Sequence, residues 1–451
     1  MQKLNANNIL KVVIRVQRDI TARLIDWKQK TKRKPLVIMG VRQCGKTYIV
    51  DTFGKDRYDD LALFNFEKQE AISKIFETDY DTDRIIFELG LFLGRTIQPE
   101  KTLIFFDEIQ ACSRAITSLK YFCENAPEYH IICAGSLLGV KTSSESSFPV
   151  GKVEFITMYP MSFFEFVRAN GEEMLADYVL NIDTSKKIPE PIGNKLGYLL
   201  RQYYVTGGMP EVVQTWCETK DISQVEAKQQ AILDGYEFDF AKHAPIKDFP
   251  KLTSIWKSIP VQLARENNKF VFGHVKKGWR SKDLEDALEW LINAGLVYKV
   301  CQIEKPFLPL SAYEKPTAFK LYLCDVGLLR KLSNVPYQVI LDSSTIYTEF
   351  KGAMTENYVL GELVKNVYEK PYYWVSGNTA EVDFVIQSDS EIIPIEVKSE
   401  KNVKARSLAE YCKKYHPEYA IKTSMKNEIF GNGIFNIPLY IISSLNKFIV
   451  N

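Results

Sequence analysis

The fold of this chain is decided by the stretch Gly40-Val41-Arg42-Gln43-Cys44-Gly45-Lys46-Thr47, which follows the pattern G-x-x-x-x-G-K-S/T. The apolar run Pro35-Leu36-Val37-Ile38-Met39 precedes it and suits a buried parallel strand. The residues after it can continue as a helix until Gly54. A glycine loop between a strand and a helix lets backbone N–H groups and the helix N-terminus hold a phosphate chain. We therefore expect this loop to bind a nucleoside triphosphate, with Lys46 at the terminal phosphates and Thr47 on Mg²⁺.

Two acidic residues close a second apolar run, Thr102-Leu103-Ile104-Phe105-Phe106-Asp107-Glu108. A carboxylate at the carboxyl end of a buried parallel strand points into the crevice where α/β sheets bind ligands. We expect Asp107 to hold Mg²⁺ and Glu108 to polarise the attacking water as a general base. The structural alternative is a pair of surface acids, but two acids at this distance behind a phosphate loop favour the functional interpretation.

Two more apolar runs complete the predicted parallel sheet. One, Leu61-Ala62-Leu63-Phe64-Asn65-Phe66, lies between the two motifs, as is typical of hydrolytic ATPases of the AAA type. The other, His130-Ile131-Ile132-Cys133-Ala134-Gly135-Ser136, ends in a small polar residue where related ATPases keep a sensor of the γ-phosphate. Ser136 is the candidate sensor, and a serine in an ordinary turn after a strand is the alternative.

Composition bounds the remaining possibilities. The 451 residues are 46% apolar and 25% charged, which are ordinary globular values and predict two to four domains. A net charge of +2 gives no overall field for nucleic-acid binding. Eight cysteines without a C-x-x-C pair fit a reducing cytosol, and no apolar run reaches about 18 residues. We expect a cytoplasmic protein that does not cross a membrane.

The pattern of helical and extended segments predicts five parts. They are an N-terminal helix (1–34), a P-loop core (35–168), a helical lid or linker (169–249), a winged-helix-like unit (250–340) and a C-terminal α/β domain (341–451). Winged helices often bind DNA, yet inside ATPases many serve only as packing lids, and both interpretations stay open. Local basic clusters, including Lys276, Lys277, Arg280 and Lys282, are most often solvated faces.

A third chemical group stands near the C-terminus. Glu396 and Lys398 are two residues apart on the predicted strand 392–398, so they project from one face, and Asp383 on the neighbouring strand can meet them. Glu356 can add a carboxylate from an upstream helix. Two or three carboxylates and a lysine suit a Mg²⁺ that activates water for phosphodiester cleavage, the D…E-x-K arrangement of restriction-endonuclease-like folds. An ion pair on a solvated face is the alternative, which the apolar neighbours in the strand disfavour.

Several groups of residues together carry a resemblance to a known family. They are Gly40 to Thr47 with Arg42 inside the loop, Leu103 to Glu108, Gly135-Ser136, Tyr159 to Phe163, Gly207 to Pro210, and Ala380 to Phe384 with Ile395 to Ser399. The chain resembles prokaryotic AAA-type ATPases whose C-terminal half is a restriction-endonuclease-like domain of unassigned function. Cys44 departs from related loops, which more often carry a small aliphatic residue there.

The resemblance implies an α/β protein that binds ATP and Mg²⁺ and hydrolyses ATP. A neighbouring subunit's arginine often completes AAA-type sites, so a homo-oligomer or a protein partner is expected. DNA or RNA is the expected partner of the C-terminal domain if that domain is active. We expect an ATPase that couples hydrolysis to movement of its C-terminal nuclease-like part. The alternative is a nucleotide-gated binding module with an inactive nuclease fold.

Overall fold

Two sheets organise the described part of the protein, whose structure is a computed structural model. The structure describes residues 18–136, 149–184, 186–265, 268–341, 348–366, 370–377, 380–399, 405–427, 430–431 and 434–449. The first half of the predicted N-terminal helix and a polar loop predicted at 142–147 lie outside these residues. The described part of that helix is α1, Ile20–Gln29.

The first sheet contains five parallel strands in the order β2-β3-β4-β1-β5. The strands are β1 Leu36–Gly40, β2 Asp60–Asn65, β3 Thr102–Asp107, β4 His130–Ser136 and β5 Glu154–Met158. The extra strand predicted between the two motifs is β2, and it occupies the sheet edge. The position between β1 and β3 in the sheet is occupied by β4 and not by β2.

Both faces of this sheet are covered, which explains why its strands are apolar without alternation. In β3, Leu103 and Phe105 face one hydrophobic cluster, while Ile104 and Phe106 face another. The helices around the sheet are α2 Lys46–Arg57, α3 Glu70–Ile75, α4 Thr82–Leu93 and α5 Ser113–Asn125. Helix α2 runs three residues beyond Gly54, where we predicted its end. Gly54 lets this helix approach β2 closely, because a Cβ there would lie 2.7 Å from Leu61 Cδ1 and the leucine side chain would have to move.

A helical region follows the first sheet, as predicted. Its helices are α6 Phe163–Ala169, α7 Glu173–Leu180, α8 Glu190–Thr206, α9 Pro210–Thr219 and α10 Ile222–His243. The spacing of Ser162 and Glu165 in the sequence predicts a capping box at the start of α6. The structure confirms it, since Ser162 Oγ accepts the N–H of Glu165 and Glu165 Oε2 accepts the N–H of Ser162. Helices α8 and α9 are joined by the Gly207-Gly208 elbow.

The second sheet is mixed and has eight strands in the order β12-β13-β11-β10-β9-β8-β6-β7. The strands are β6 Val297–Ile303, β7 Glu314–Leu323, β8 Tyr372–Ser376, β9 Ala380–Ser388, β10 Glu391–Val397, β11 Ile421–Ser424, β12 Phe430–Gly431 and β13 Ile434–Pro438. The helices associated with it are α11 Phe249–Leu263, α12 Ser281–Asn293, α13 Val326–Leu332, α14 Tyr337–Leu341, α15 Thr348–Asn366, α16 Arg406–Tyr415 and α17 Asn446–Ile449.

The division predicted at residue 340 runs through this second sheet. Strand β6, from the predicted winged-helix-like unit, pairs in parallel with β8 from the predicted C-terminal domain. The pair β6 and β7, expected to be a separate wing, therefore forms one side of the large sheet. The cause is tertiary pairing, which the local sequence pattern of a helix followed by a strand does not reveal.

One hydrophobic core continues from the first sheet to the second. Ile38 of β1, Tyr203 of α8 and Leu321 of β7 belong to the same cluster of buried side chains. The Gly207-Gly208 elbow lies inside it, where Gly208 O accepts the N–H of Met161 at 2.6 Å. In the described residues, no helix has the length and apolar character that a membrane crossing requires.

We expect Gly208→Ala to destabilise the fold. A Cβ at Gly208 would lie 2.2 Å from Met161 O and 2.9 Å from Met161 N, so the backbone must shift. Overpacking of this kind lowers the free energy of unfolding by about 2–3 kcal/mol. Urea unfolding followed by tryptophan fluorescence measures the change.

Gly352→Ala is the matched control. Gly352 lies in α15 with nothing within 4 Å of its added Cβ, so the substitution raises helix propensity by up to about 1 kcal/mol. An equal loss of stability in both variants would contradict the packing role of Gly208.

Candidate functional site

The loop Gly40–Thr47 has the geometry of a phosphate cradle. Gly45 has φ +94°, a left-handed conformation that favours glycine, and α2 begins at the next residue. Lys46 is buried, and its Nζ donates to Gly40 O at 2.9 Å and Val41 O at 3.0 Å. The ammonium group is therefore held inside the loop by backbone carbonyls. The helix N-terminus adds positive potential at the same place.

Asp107 lies beside the start of α2, as the sequence predicts. Thr47 Oγ1 is 3.2 Å from both carboxylate oxygens of Asp107. Asn65 Nδ2 donates to Asp107 Oδ2 at 3.0 Å. Burial and the charge of Glu108 raise the pKa of Asp107, while the hydrogen bonds from Asn65 and Thr47 oppose the rise. The hydroxyl of Thr47 and the buried carboxylate of Asp107 together form a set of oxygen ligands that suits Mg²⁺.

Sequence reasoning missed Asn65. The parallel register places it opposite Asp107, because β2 and β3 are neighbours and both end at this edge. A polar residue at the end of an otherwise apolar strand is the signal that could have identified it.

Glu108 follows Asp107 in a left-handed conformation, with φ +51°. This conformation turns the chain at Glu108 away from the direction of β3. Gln110 Nε2 donates to Glu108 Oε2 at 2.5 Å, so a neighbouring amide orients the carboxylate. Ser136 ends β4 in register with Gly40, which brings its backbone to the same sheet edge, while its side chain lies outside the described part of the structure.

The loop is held from two sides by other parts of the chain. Arg18 Nη1 donates to Cys44 O at 2.9 Å, and Arg18 Nε pairs with Glu165 Oε1 at the same distance. The buried Cys44 thiol lies 3.7 Å from Met158 O. These contacts fix the loop to the segment that follows β5.

Helix α10 contacts the tip of the loop. Tyr236 OH donates to Arg42 O at 3.0 Å, and the Arg42 guanidinium forms an ion pair with Asp239. A Cβ at Gly235 would lie 3.1 Å from Gln43 Nε2. The helical region therefore touches the same residues that are predicted to surround phosphate.

The second chemical group is assembled from β7, β9, β10 and α15. Lys398 Nζ lies 2.5 Å from Glu396 Oε1, and Asp383 Oδ2 accepts the N–H of Val397 at 2.7 Å. The predicted proximity of Asp383, Glu396 and Lys398 at the ends of adjacent strands is therefore observed. Glu396 is only 2% exposed, and its Oε2 has no hydrogen-bond partner.

Glu356 joins this group through residues that the sequence did not single out. Tyr322 OH donates to Glu356 Oε2 at 2.7 Å, and Asn268 Nδ2 donates to Oε1 at 3.1 Å. Lys320 is fully buried, with its Nζ 3.5 Å from Glu356 Oε2 and 2.6 Å from Glu381 Oε1. Lys320 sits in an otherwise apolar part of β7, and this interruption is the signal that could have revealed it.

Like charges in this group perturb one another. Burial raises the pKa of Asp383 well above its ordinary value, and the charges of Glu396 and Glu356 raise it further. Burial also raises the pKa of Glu396, against the opposing charge of Lys398. Burial lowers the pKa of Lys398, but the charges of Glu396 and Asp383 outweigh this effect and raise it overall.

The three predicted ligands Glu356, Asp383 and Glu396 do not close around one point. Within the described residues, no group of three or more histidine, cysteine, aspartate or glutamate side chains is arranged to hold a metal ion. The described carboxylates instead form ion pairs with Lys320 and Lys398 and a hydrogen bond with Tyr322. The unpartnered Glu396 Oε2 and the mutual repulsion of the acids nevertheless suit a cation, so this ligand set stays a prediction.

Comparisons with known proteins match three regions of the chain. Residues 32–167 match the model of an AAA domain, residues 197–338 match a domain of unknown function (DUF8612), and residues 351–442 match another (DUF4143). The AAA match contains the loop, Asp107 and Ser136, and it supports an AAA-type P-loop ATPase domain. The two matches of unknown function leave the winged-helix and restriction-endonuclease-like assignments as predictions. No curated protein sequence matches the chain.

Several solved structures show some similarity to the chain. A Walker-type ATPase of Pyrococcus abyssi is 14% identical, with a TM-score of 0.45, over 70% of this chain and 96% of that one. The ORC1 protein of Aeropyrum pernix in complex with DNA is 12% identical, with a TM-score of 0.30, over 74% and 97%. Cdc6p of Pyrobaculum aerophilum is 11% identical, with a TM-score of 0.25, over 74% and 97%.

We expect Asp383→Asn to stabilise the metal-free protein at neutral and alkaline pH. The raised pKa means that the folded state binds the proton more tightly than the unfolded chain, so the ionised group weakens the fold above that pKa. The amide keeps an oxygen that can accept from Val397 N–H. Thermal unfolding in EDTA should give a higher Tm than wild type, with a difference that shrinks as pH falls through the pKa of Asp383.

Asp286→Asn, on the exposed face of α12, is the control and should leave Tm unchanged. A lower Tm for Asp383→Asn at every pH would show that pairing with Lys320 and Lys398 dominates the electrostatics of the group.

Proposed function

We propose that the protein is an Mg²⁺-dependent ATPase of the AAA type. The observation that carries the proposal is the contact of Thr47 Oγ1 with Asp107, at the sheet edge where the loop and α2 meet. The AAA match over residues 32–167 supports it. The residues present fit a magnesium ion, which Thr47 and Asp107 would hold and which would neutralise charge on the phosphates.

Lys46 binds the terminal phosphates in this proposal. Its ammonium group already lies inside the loop, bonded to Gly40 O and Val41 O, and phosphate oxygens replace these neutral acceptors with charged ones. The backbone N–H groups from Val41 to Thr47 surround the phosphate chain and orient it.

Glu108 acts as the general base that orients and deprotonates the attacking water. Gln110 holds its carboxylate and Asn65 holds that of Asp107, so the two acids are positioned separately by amides from different elements. Ser136 is the proposed γ-phosphate sensor, because β4 ends between the strands that carry the loop and Asp107.

ATP binding should require Lys46, and hydrolysis should require Glu108. Lys46→Ala removes the ammonium group that is held inside the loop, and we expect it to abolish ATP binding. Glu108→Gln keeps the shape of the side chain but not the base, so ATP should bind normally while kcat falls about 10²–10⁴-fold. Isothermal titration and phosphate release measure the two effects.

Lys55→Ala tests the same helix away from the loop. Lys55 is exposed and pairs with Asp51, and its loss should leave both binding and turnover unchanged. Undiminished ATP turnover in both Lys46→Ala and Glu108→Gln would refute the proposed site.

A second candidate function is phosphodiester cleavage at the C-terminal group. It is favoured by Glu396 Oε2, a buried carboxylate oxygen without a partner among repelling acids. To hold a divalent cation, Glu356, Asp383 and Glu396 would have to move toward one another; the cation would supply an activated water and charge neutralisation. Lys398 would stabilise charge that develops on the phosphate. In the alternative function, the group is inactive and ATP acts as a conformational ligand that gates binding.

Asp383→Ala and Lys398→Ala should each abolish Mg²⁺-dependent cleavage of DNA or RNA while ATP turnover is retained. Gel analysis of plasmid, single-stranded DNA and RNA, with and without ATP, measures this, with Asp286→Ala as the control. Equal, metal-independent nicking by all variants, or no cleavage by the wild type, would favour the inactive binding module.

A further inference from the structure

The segment 268–282, here called the basic segment, concentrates positive charge. It contains Lys269, Lys276, Lys277, Arg280 and Lys282, and no aspartate or glutamate. The whole chain has a formal net charge of +2, so the rest of the chain is net negative. Four of the five cations are exposed, and Lys269 is half-buried. The basic segment is therefore a local exception in an otherwise nearly balanced protein.

The cations of the basic segment are not neutralised by described neighbours. Exposed lysines elsewhere often pair, as Lys152 does with Glu124 at 2.7 Å and Lys195 does with Glu172 at 2.6 Å. No described carboxylate lies within 4.0 Å of the charged nitrogens of the basic segment. Lys276 Nζ instead lies 4.7 Å from the centre of the Trp279 ring. These charges remain available to an external anion.

Both ends of the basic segment are fixed. At its start, Asn268 Nδ2 donates to Glu356, and Phe270 N–H donates to Phe319 O at 2.9 Å. The rings of Phe270 and Phe319 stack with centres 5.6 Å apart, and Phe319 directly precedes Lys320 in β7. At its other end, Arg280 N–H donates to Asp283 Oδ2 at the beginning of α12. The start of the basic segment is thus anchored beside the C-terminal carboxylate group, and its end is fixed at the beginning of α12.

The carboxylate group itself repels polyanions. It contains four acids, Glu356, Glu381, Asp383 and Glu396, which are opposed by Lys320 and Lys398. A phosphodiester backbone can approach such a group only where flanking cations compensate the repulsion. The basic segment can meet this need, because it begins at Asn268, whose side chain donates to Glu356, and its cations follow along the chain.

We propose that the basic segment binds the phosphate backbone of a nucleic acid and guides it to the C-terminal carboxylate group. The guiding role rests on the second candidate function, phosphodiester cleavage, but binding to the basic segment can be measured without cleavage. Lys276, Lys277 and Arg280 contact successive phosphates. Because the contacts are to the backbone, affinity depends on salt and little on base sequence.

Fluorescence anisotropy of the full-length protein in EDTA tests the proposal. The probes are labelled 30-nucleotide DNA and RNA, single-stranded and duplex, over a range of KCl concentrations. The variant Lys276→Glu/Lys277→Glu/Arg280→Glu should bind at least about tenfold more weakly, and its slope of log K against log salt should fall by about 2–3. DNA and RNA are distinguished by which probe binds more tightly.

Lys55→Glu/Lys152→Glu/Lys195→Glu is the matched control, because it makes the same change of charge at exposed sites elsewhere. Unchanged ATP turnover shows that each variant is folded. Equal weakening in both triple variants, an unchanged salt slope, or tighter binding of polyglutamate than of nucleic acid would overturn the proposal.

Asp383→Asn separates the two proposals. Loss of cleavage with salt-dependent binding intact supports the basic segment as a binding surface beside a separate catalytic group. If the wild type does not cleave but binds through the basic segment, the nuclease proposal fails while this one stands.

Discussion

The buried carboxylate of Asp325 joins the three parts of the protein. It lies directly after β7, and it accepts the N–H groups of Gly208 at 2.6 Å and Leu328 at 2.9 Å. Gly208 in turn accepts from Met161, which follows the first sheet. Burial raises the pKa of Asp325, and the backbone hydrogen bonds from Gly208 and Leu328 oppose the rise. A buried charge held by directed backbone donors tolerates little displacement, so these hydrogen bonds tie the helical region to the end of β7.

Helix α10 connects the nucleotide loop to the second sheet through contacts at both of its ends. Helix α10 touches Arg42 through Tyr236 and Asp239. Nearer the start of α10, Glu226 and Gln229 accept hydrogen bonds from the guanidinium of Arg330, which lies in α13 after Asp325. A shift of Arg42 on phosphate binding would therefore reach α13 through a single rigid helix. This arrangement offers a specific path for the coupling expected from the sequence, from the loop through α10 to the end of β7.

The residues that sequence could identify are those whose chemistry is local. Lys46 and the capping Ser162 contact residues only a few positions away in the chain, so their spacing predicts their contacts. Asn65 and Lys320 act only through strands that pair across the fold, and their neighbours become clear only from register. The strand order shows the same limit, because the sequence predicts an extra strand but not that β2 takes the edge. Nor does a helix followed by two strands reveal that these strands extend a larger sheet.

The pairing of β6 with β8 has a consequence for how this chain can change in evolution. The two matched regions, 197–338 and 351–442, meet along the ladder Cys301–Tyr372, Gln302–Tyr373 and Ile303–Trp374. Recombination that exchanged one region alone would leave a central strand of an eight-stranded sheet with an open edge, which invites pairing with other chains. Although sequence comparison divides this part of the chain into two regions, the backbone hydrogen bonds join them in one sheet. We therefore expect the two regions to be inherited together.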